Sequence, residues 1–167
     1  ICSGRKIVES NCLATTHPEI ANQWHPKLNK SITPKETTKG RTDYYWWKCD
    51  KGDDHIWEAS PNNRTRGKGC PICSGNKVVK SNCLSTTHPE IANQWHPTKN
   101  VELKPEDVSH GSNKDVWWKC NKGDDHERQT KVSKRSGGEN CTICSGRKIV
   151  ESNCLATTHP EIANQWH

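Results

Sequence analysis

The chain has 167 residues, of which 29% are hydrophobic and 26% are charged, and it contains no Phe or Met. A typical globular domain is ~45–50% apolar, so modules this polar need a further stabilising cross-link to offset the conformational entropy lost on folding. The formal net charge of +6 is mild for a dedicated nucleic-acid domain, and no run of about 18 apolar residues predicts a membrane span.

The sequence repeats itself. Residues 1–25 are identical to residues 143–167, and the intervening copy at 72–96 is a close variant, so two unlike units of 71 residues alternate with a period of 142. This pattern predicts the boundaries of the units. They are the tail of a preceding unit at 1–12, unit 1 at 13–83, unit 2 at 84–154 and the start of a following unit at 155–167. Because the chain opens inside a Cys-x-x-Cys pair and lacks an initiator Met, we expect it to be a segment of a longer array.

A short helix is the first element predicted in each unit. Thr16 and Glu19 have the spacing of a capping box, and Ile20 and Trp24 lie at i, i+4 on one face. His25 is expected at the C-terminus of this helix, where positive charge is favourable. A connecting loop with one turn is then expected.

Two strands are predicted after the loop, at residues 44–48 and 55–59. Strand alternation places Trp46 and Trp47 on opposite faces. One of these rings is expected to pack on Trp24, and the other is expected to be exposed or to contact a neighbouring unit.

A basic, glycine-containing loop is predicted at residues 62–69, followed by a short strand at 77–80. Tryptophan side chains near such a loop can stack on bases, which makes nucleic acid a possible partner. The candidate contacts are Arg64, Arg66, Lys68, Lys131, Lys134 and Arg135.

Four potential metal ligands frame the strands of each unit with the same spacing. They are Cys49, His55, Cys70 and Cys73, and, 71 residues further on, Cys120, His126, Cys141 and Cys144. Three thiolates and one imidazole suit a tetrahedral Zn²⁺. Four protein ligands close the coordination shell, so we expect structural zinc and no enzymatic activity. The alternatives are free buried cysteines or two disulfides, and Cys2 matches the last ligand of an incomplete site.

Two other features leave alternatives open. Cys12, Cys83 and Cys154 fall outside the zinc sets. With the nearby histidines they allow a second metal site or a disulfide, but a small buried thiol beside the helix is favoured. The Asp-Asp pairs before His55 and His126 either orient the histidine or form a solvated turn, and the turn is favoured.

The motifs WWKC, KG-x-DH, N-R-x-x-G-x-GC-x-x-C-SG and LATTHPEIA-x-x-WHP together resemble a family of tandem zinc-ribbon, treble-clef-like repeats over essentially the whole chain. The resemblance implies small α+β units, each with a β-hairpin and a short helix, that bind zinc through the ligands named above. Some members of that family stand beside endonuclease domains. Unit 2 departs from the pattern, because Arg128 stands where unit 1 has Trp57.

Three functions are compatible with these patterns. The favoured one is a structural array that assembles with neighbouring repeats or copies of itself into a filament or coat, because an exact 142-residue repeat suits regular packing. The first alternative is a nucleic-acid-binding zinc array attached to an effector such as an endonuclease. The second is a protein-interaction scaffold.

Overall fold

A computed structural model describes residues 6–166 of the chain. The chain divides into two compact units, Ile1–Val79 and Lys80–His167. Each contains a pair of short helices, a two-stranded antiparallel sheet and a further short helix, which confirms the predicted small α+β class. The finer boundaries predicted at 13–83 and 84–154 stay a prediction. Among the described residues, no helix is long and apolar enough to cross a membrane.

The elements follow the same order in both units. In unit 1 they are α1 (Leu13–Thr16), α2 (Pro18–Ala21), β1 (Tyr45–Lys48), β2 (Ile56–Ala59) and α3 (Pro61–Thr65), with 3-10 turns at Glu9–Asn11 and Pro34–Glu36. In unit 2 they are α4 (Leu84–Thr87), α5 (Pro89–Ala92), β3 (Asp115–Lys119), β4 (Glu127–Lys131) and α6 (Val132–Ser136), with a 3-10 turn at Pro105–Asp107. A third helix pair, α7 (Leu155–Thr158) and α8 (Pro160–Ala163), follows a 3-10 turn at Glu151–Asn153.

Where the sequence predicts one helix, the structure has two short helices that meet at His17. The His17 N–H donates to the Leu13 carbonyl and closes α1, and Pro18 starts α2. The predicted capping box was wrong, because the Thr16 hydroxyl donates to the Cys12 carbonyl at 2.8 Å instead. Proline lacks an N–H and disfavours helical geometry in the residue before it, so a continuous helix is not available here.

The hairpin of each unit provides the centre of its core. Trp47 is fully buried opposite Trp57 and packs edge-on against Trp24, with ring centroids 5.0 Å apart. Trp46 lies on the other face and is partly exposed, which confirms the predicted alternation. In unit 2 the corresponding Trp118 packs edge-on against Trp95 in the same way.

The segment that follows α2 lies along the free edge of β1. The Lys48 N–H donates to the Gln23 carbonyl at 2.7 Å, and the His25 N–H donates to the Trp46 carbonyl at 3.0 Å. The buried Asn29 side chain adds two bonds to the backbone of Trp46, accepting from its N–H at 2.8 Å and donating to its carbonyl at 2.9 Å. These bonds fix the helix pair against the hairpin.

His25 has a different role from the predicted one. Helix α2 ends at Ala21, and His25 Nδ1 accepts hydrogen bonds from the N–H groups of Lys27 and Leu28 at 3.2 and 3.1 Å. The imidazole therefore closes the turn that follows it, and the placement at a helix C-terminus was wrong.

Two predictions after the hairpin were also wrong. The basic loop at 62–69 begins as helix α3, because Ser60 caps it by accepting from the Asn63 N–H at 3.2 Å and Pro61 occupies its first position. Residues 77–80 form no strand.

Candidate metal centre

The hairpin turn carries the first two ligands of each site. Cys49 follows β1 and His55 precedes β2, and the Cys49 N–H donates to the His55 carbonyl at 3.2 Å. Gly52 lies under the imidazole so closely that a Cβ there would be 2.7 Å from His55 Cδ2, and Gly123 has the same relation to His126. Each glycine is therefore required by the close approach of the ligand ring, and an alanine at either position would push the imidazole out of place.

The other two ligands come from a tight turn that follows α3. The Ser74 N–H donates to the Cys70 carbonyl at 3.2 Å, and the Gly75 N–H donates to the Ile72 carbonyl at 3.0 Å. Gly75 has a φ of +75°, a conformation that glycine adopts without the steric penalty of a side chain. Ile72, between the two cysteines, is buried and anchors the turn.

The four side chains of the first site converge on one point. The Sγ atoms of Cys49 and Cys73 are 3.6 Å apart, and each is 3.3 Å from His55 Nδ1. The Cys70 Sγ is 3.8 Å from the same nitrogen. Zn–S bonds of ~2.3 Å and Zn–N bonds of ~2.0–2.1 Å in a tetrahedron require ligand separations of roughly 3.5–3.8 Å. The donor atoms fit a zinc ion.

The second site repeats this geometry. The Sγ atoms of Cys120 and Cys144 are 3.6 Å apart, and His126 Nδ1 is 3.2 Å from Cys144 Sγ and 3.9 Å from Cys141 Sγ. Within each of the two groups, all four ligand atoms lie within 4.8 Å of one another. Both predicted ligand sets are therefore brought together, and none of the described cysteines forms a disulfide. Cys2, the predicted ligand of an incomplete site, lies outside the described residues.

Comparison with known families agrees with this geometry. Residues 20–76 and residues 91–147 each match the family described as "Probable Treble clef zinc finger domain". The chain belongs to this treble clef family. The two matches span more than half of the chain, and each contains one complete Cys₃His group. A search of curated proteins found no match.

The thiols of each treble clef domain influence one another in the absence of metal. Desolvation and the neighbouring thiols of Cys49 and Cys70 raise the pKa of Cys73 to about 12. The same causes raise the pKa of Cys144 to about 11 in the second domain. Zinc is bound by thiolates, so its binding displaces protons from the cluster.

The two aspartates before His126 do not behave alike. Asp124 is exposed and pairs with Lys119 at 3.2 Å, which agrees with the solvated-turn interpretation. Asp125 instead accepts two hydrogen bonds from Ser152, from its hydroxyl at 2.7 Å and from its N–H at 2.9 Å, and these bonds lower the pKa of the carboxyl. The Ser152 hydroxyl is in turn 3.2 Å from Nε2 of His126. The sequence analysis missed Ser152, and only its recurrence in each Ser-Asn-Cys motif could have drawn attention to it.

Arg64, a candidate nucleic-acid contact, is an internal residue of the first treble clef domain. Its guanidinium lies 5.3 and 5.2 Å from the ring centroids of Trp47 and Trp57. It donates to the Lys68 carbonyl and to the Gln23 side chain. The arginine joins α3, the hairpin and the end of the helix pair, and its expected exposure in a surface loop was wrong because two indole rings enclose it.

Arg135 has the matching position in the second domain. It donates to Gln94 Oε1 at 2.6 Å and to the Glu139 carbonyl at 3.1 Å. Arg128, which replaces a tryptophan, is buried beside it and pairs with the Glu139 carboxylate at 3.1 Å. The second core therefore substitutes an ion pair for the indole. Among the other candidates, Arg66, Lys68 and Lys134 are exposed and Lys131 is partly exposed, and their contact with nucleic acid stays a prediction.

The cysteines outside the zinc sets lie at the start of the helix pairs. Cys12 and Cys83 are buried free thiols, and the Cys12 Sγ is 3.3 Å from the Glu9 carbonyl and 3.4 Å from the Thr15 hydroxyl. This agrees with the buried-thiol interpretation for Cys12 and Cys83, whereas Cys154 is only partly buried. Among residues 6–166, no group of metal ligands includes Cys12 or its neighbouring histidines.

Proposed function

We propose that the chain is a structural, non-catalytic segment of a zinc-stapled array whose units assemble with further units of the same kind. The composition of the metal sites supports this role. Each group supplies four protein donors to one ion, and a closed shell of this type leaves no position for a substrate or an activated water. The zinc then contributes to folding, as expected for modules of low apolar content.

The observation that carries the proposal is an apolar face on α7 and α8. Leu155, Ile162 and Trp166 are 41%, 48% and 81% exposed. The identical sequence in unit 1 buries Leu13 completely and packs Trp24 against the hairpin. A contiguous exposed apolar face marks a site of interaction. We infer that it accepts a Trp-Trp hairpin of another copy of the chain.

A second apolar feature supports lateral assembly. Trp46 and Trp117 lie on the outer faces of their hairpins and are partly exposed. The Lys99 ammonium lies 4.7 Å from the centroid of the Trp117 ring and covers part of it. Burying the rest of such a ring in a neighbour is favourable, since full burial of a large apolar side chain contributes ~1.5–3 kcal/mol.

Nucleic-acid binding is the less favoured function. Two of the six candidate basic side chains, Arg64 and Arg135, are held in internal contacts. If the remaining cations bound phosphates, affinity would fall steeply with salt. The wild type would then shift nucleic acid in a gel at low salt, and charge reversal at Arg66 and Lys134 would abolish this shift. Both results together would overturn the structural proposal.

The proposal is tested by light scattering of the zinc-loaded chain over a range of concentrations. We expect the wild type to self-associate, and the double variant Leu155→Ser, Trp166→Ser to stay monomeric with its zinc content unchanged. Val101→Ser is the matched control, because Val101 is 89% exposed but lies outside the helix face. A wild-type monomer at every concentration would contradict the proposal, and so would equal effects of the double variant and the control.

A further inference from the structure

We propose that Ser152 is a positioning residue of the second zinc site, whose hydroxyl, backed by the Asp125 carboxylate, holds the His126 imidazole with Nδ1 toward the thiolates. His126 Nδ1 is 3.2 Å from Cys144 Sγ, so this nitrogen is the donor to the metal and its proton must reside on Nε2.

The Nε2 proton has one well-placed acceptor among the described residues. Ser152 Oγ lies 3.2 Å from His126 Nε2, whereas the nearest Asp125 oxygen is 3.9 Å away, which is too far for a direct hydrogen bond. A carboxylate only accepts, so the Ser152 hydroxyl donates to Asp125 Oδ1 at 2.7 Å and keeps a lone pair for the imidazole. Both hydrogen bonds, from His126 to Ser152 and from Ser152 to Asp125, therefore have a defined donor and a defined acceptor. Metal-bound histidines are usually fixed by such a partner on the second nitrogen.

The position of Ser152 is fixed by more than this one contact. Its N–H donates to Asp125 Oδ2 at 2.9 Å. The next residue, Asn153, donates from Nδ2 to the carbonyl of Ile143, inside the Cys-x-x-Cys turn, at 3.1 Å. Ser152 follows the family match, which ends at residue 147. The functional metal centre thus extends beyond the segment that carries the four ligands.

The chain contains its own reference for the local turn. Glu9–Asn11 repeats the sequence of Glu151–Asn153 and forms the same 3-10 turn, in which Asn11 Oδ1 accepts from the Val8 N–H at 2.9 Å. The turn therefore forms from local bonds. Ser10 has the position of Ser152 in this turn, and among the described residues no hydrogen bond links it to His55 or His126. The contact with a metal ligand is an addition to the turn and is not needed to form it.

The test uses the full zinc-loaded chain and measures zinc release to a colorimetric chelator. Ser152→Ala should accelerate the release of one of the two zinc ions, in line with the ~10–100-fold loss of metal affinity typical when such a partner is removed. The other ion should leave at the wild-type rate. Ser152→Thr, which keeps the hydroxyl, should restore slow release, and Ser10→Ala is the matched control that should change neither ion.

A second readout separates positioning from general stability. In NMR spectra of the wild type and of Ser152→Thr, the Nε2 proton of His126 should be protected from exchange with solvent. In Ser152→Ala this protection should be lost. Wild-type release and a protected proton in Ser152→Ala would overturn the proposal. A threonine variant as defective as the alanine variant, or an equal effect of Ser10→Ala, would overturn it as well.

Discussion

At the scale of single residues, a buried threonine distinguishes two units that share one backbone. Thr37 is fully buried, and its hydroxyl has no hydrogen-bond partner among the described residues. The matching residue of unit 2 is Val108, which has nearly the same shape and is equally buried. A buried unsatisfied hydroxyl costs about 1–3 kcal/mol. We therefore regard the first core as locally suboptimal.

Thr37→Val should raise the free energy of unfolding of unit 1 by ~1 kcal/mol or more, because it removes the unpaired hydroxyl and keeps the volume. Denaturant unfolding at saturating zinc, followed by tryptophan fluorescence, measures this change. The reciprocal substitution Val108→Thr should destabilise unit 2. A Thr37→Val variant no more stable than the wild type would contradict the prediction, and so would stabilisation of unit 2 by Val108→Thr.

Most metal ligands could be predicted at this scale, but their supporting residues could not. Cys49 and His55 were found because the same ligand spacing occurs twice, which chance does not readily produce. Arg64 was predicted to be a nucleic-acid contact because it belongs to a basic stretch of the sequence. Its burial depends on two indole rings that are brought together by the hairpin register. Ser152 lies 26 residues from His126, so only the tertiary fold shows their contact.

At the scale of the elements, β4 illustrates how one strand position changes the electrostatics of a unit. Glu127 begins β4 where unit 1 has Ile56. Its carboxylate accepts from the Lys99 ammonium and from His96 Nε2, the latter at 2.8 Å. The hydrogen bond from Lys99 has the largest effect and that from His96 the next largest. Together they lower the pKa of Glu127 from 4.5 to about 2. The folded state therefore stabilises the charged form of the Glu127 carboxylate.

The sign of the pH dependence follows from this lowered pKa. The contribution of Glu127 to stability is fully present above pH 4.5, the ordinary pKa, and is lost as the pH falls toward 2. An NMR titration of the Glu127 side-chain carboxyl from about pH 7 to 4 should show no protonation. Lys99→Ala should raise the pKa, whereas the control Lys104→Ala should leave it unchanged. A midpoint near 4.5 in the wild type would contradict the ion cluster.

The hairpins were predictable from the sequence, whereas only one helix was predicted where each unit has a pair. The alternation of Trp46 and Trp47 and the turn between Cys49 and His55 together favour a hairpin. Helices α1 and α2 have four residues each. That is too short for a helical period to appear in the sequence, and their stability comes from packing. Helix α3 was not predicted, because residues 62–69 were assigned to a basic loop and the Ser60-Pro61 start signal just before them was not used.

At the scale of the whole molecule, two zinc sites stabilise a chain that has little apolar surface to bury. Each site joins the hairpin turn to the turn after the following helix, so one ion links two segments that are separated in sequence. Structural zinc sites of this type contribute on the order of 10–16 kcal/mol of apparent binding free energy. We expect chelation of zinc to unfold both units.

Loss of a single ligand should act locally. Cys70→Ser should release one zinc and unfold unit 1, while unit 2 keeps its ion and its fold, because the ligands of each site come from one unit. Elemental analysis and the tryptophan NMR resonances of each unit measure these effects. Cys12→Ser is the matched control, since Cys12 is buried but not a ligand, and it should retain both ions. Concerted loss of both units in Cys70→Ser would contradict this local effect.

Three thiolates and one imidazole hold each zinc in a closed shell. X-ray absorption spectroscopy at the zinc edge tests this coordination on the chain loaded with two equivalents of zinc. We expect an average of three sulfur neighbours at ~2.3 Å and one nitrogen neighbour at ~2.0–2.1 Å per ion. A spectrum that requires a water or carboxylate oxygen, or only two sulfur neighbours per zinc, would contradict it.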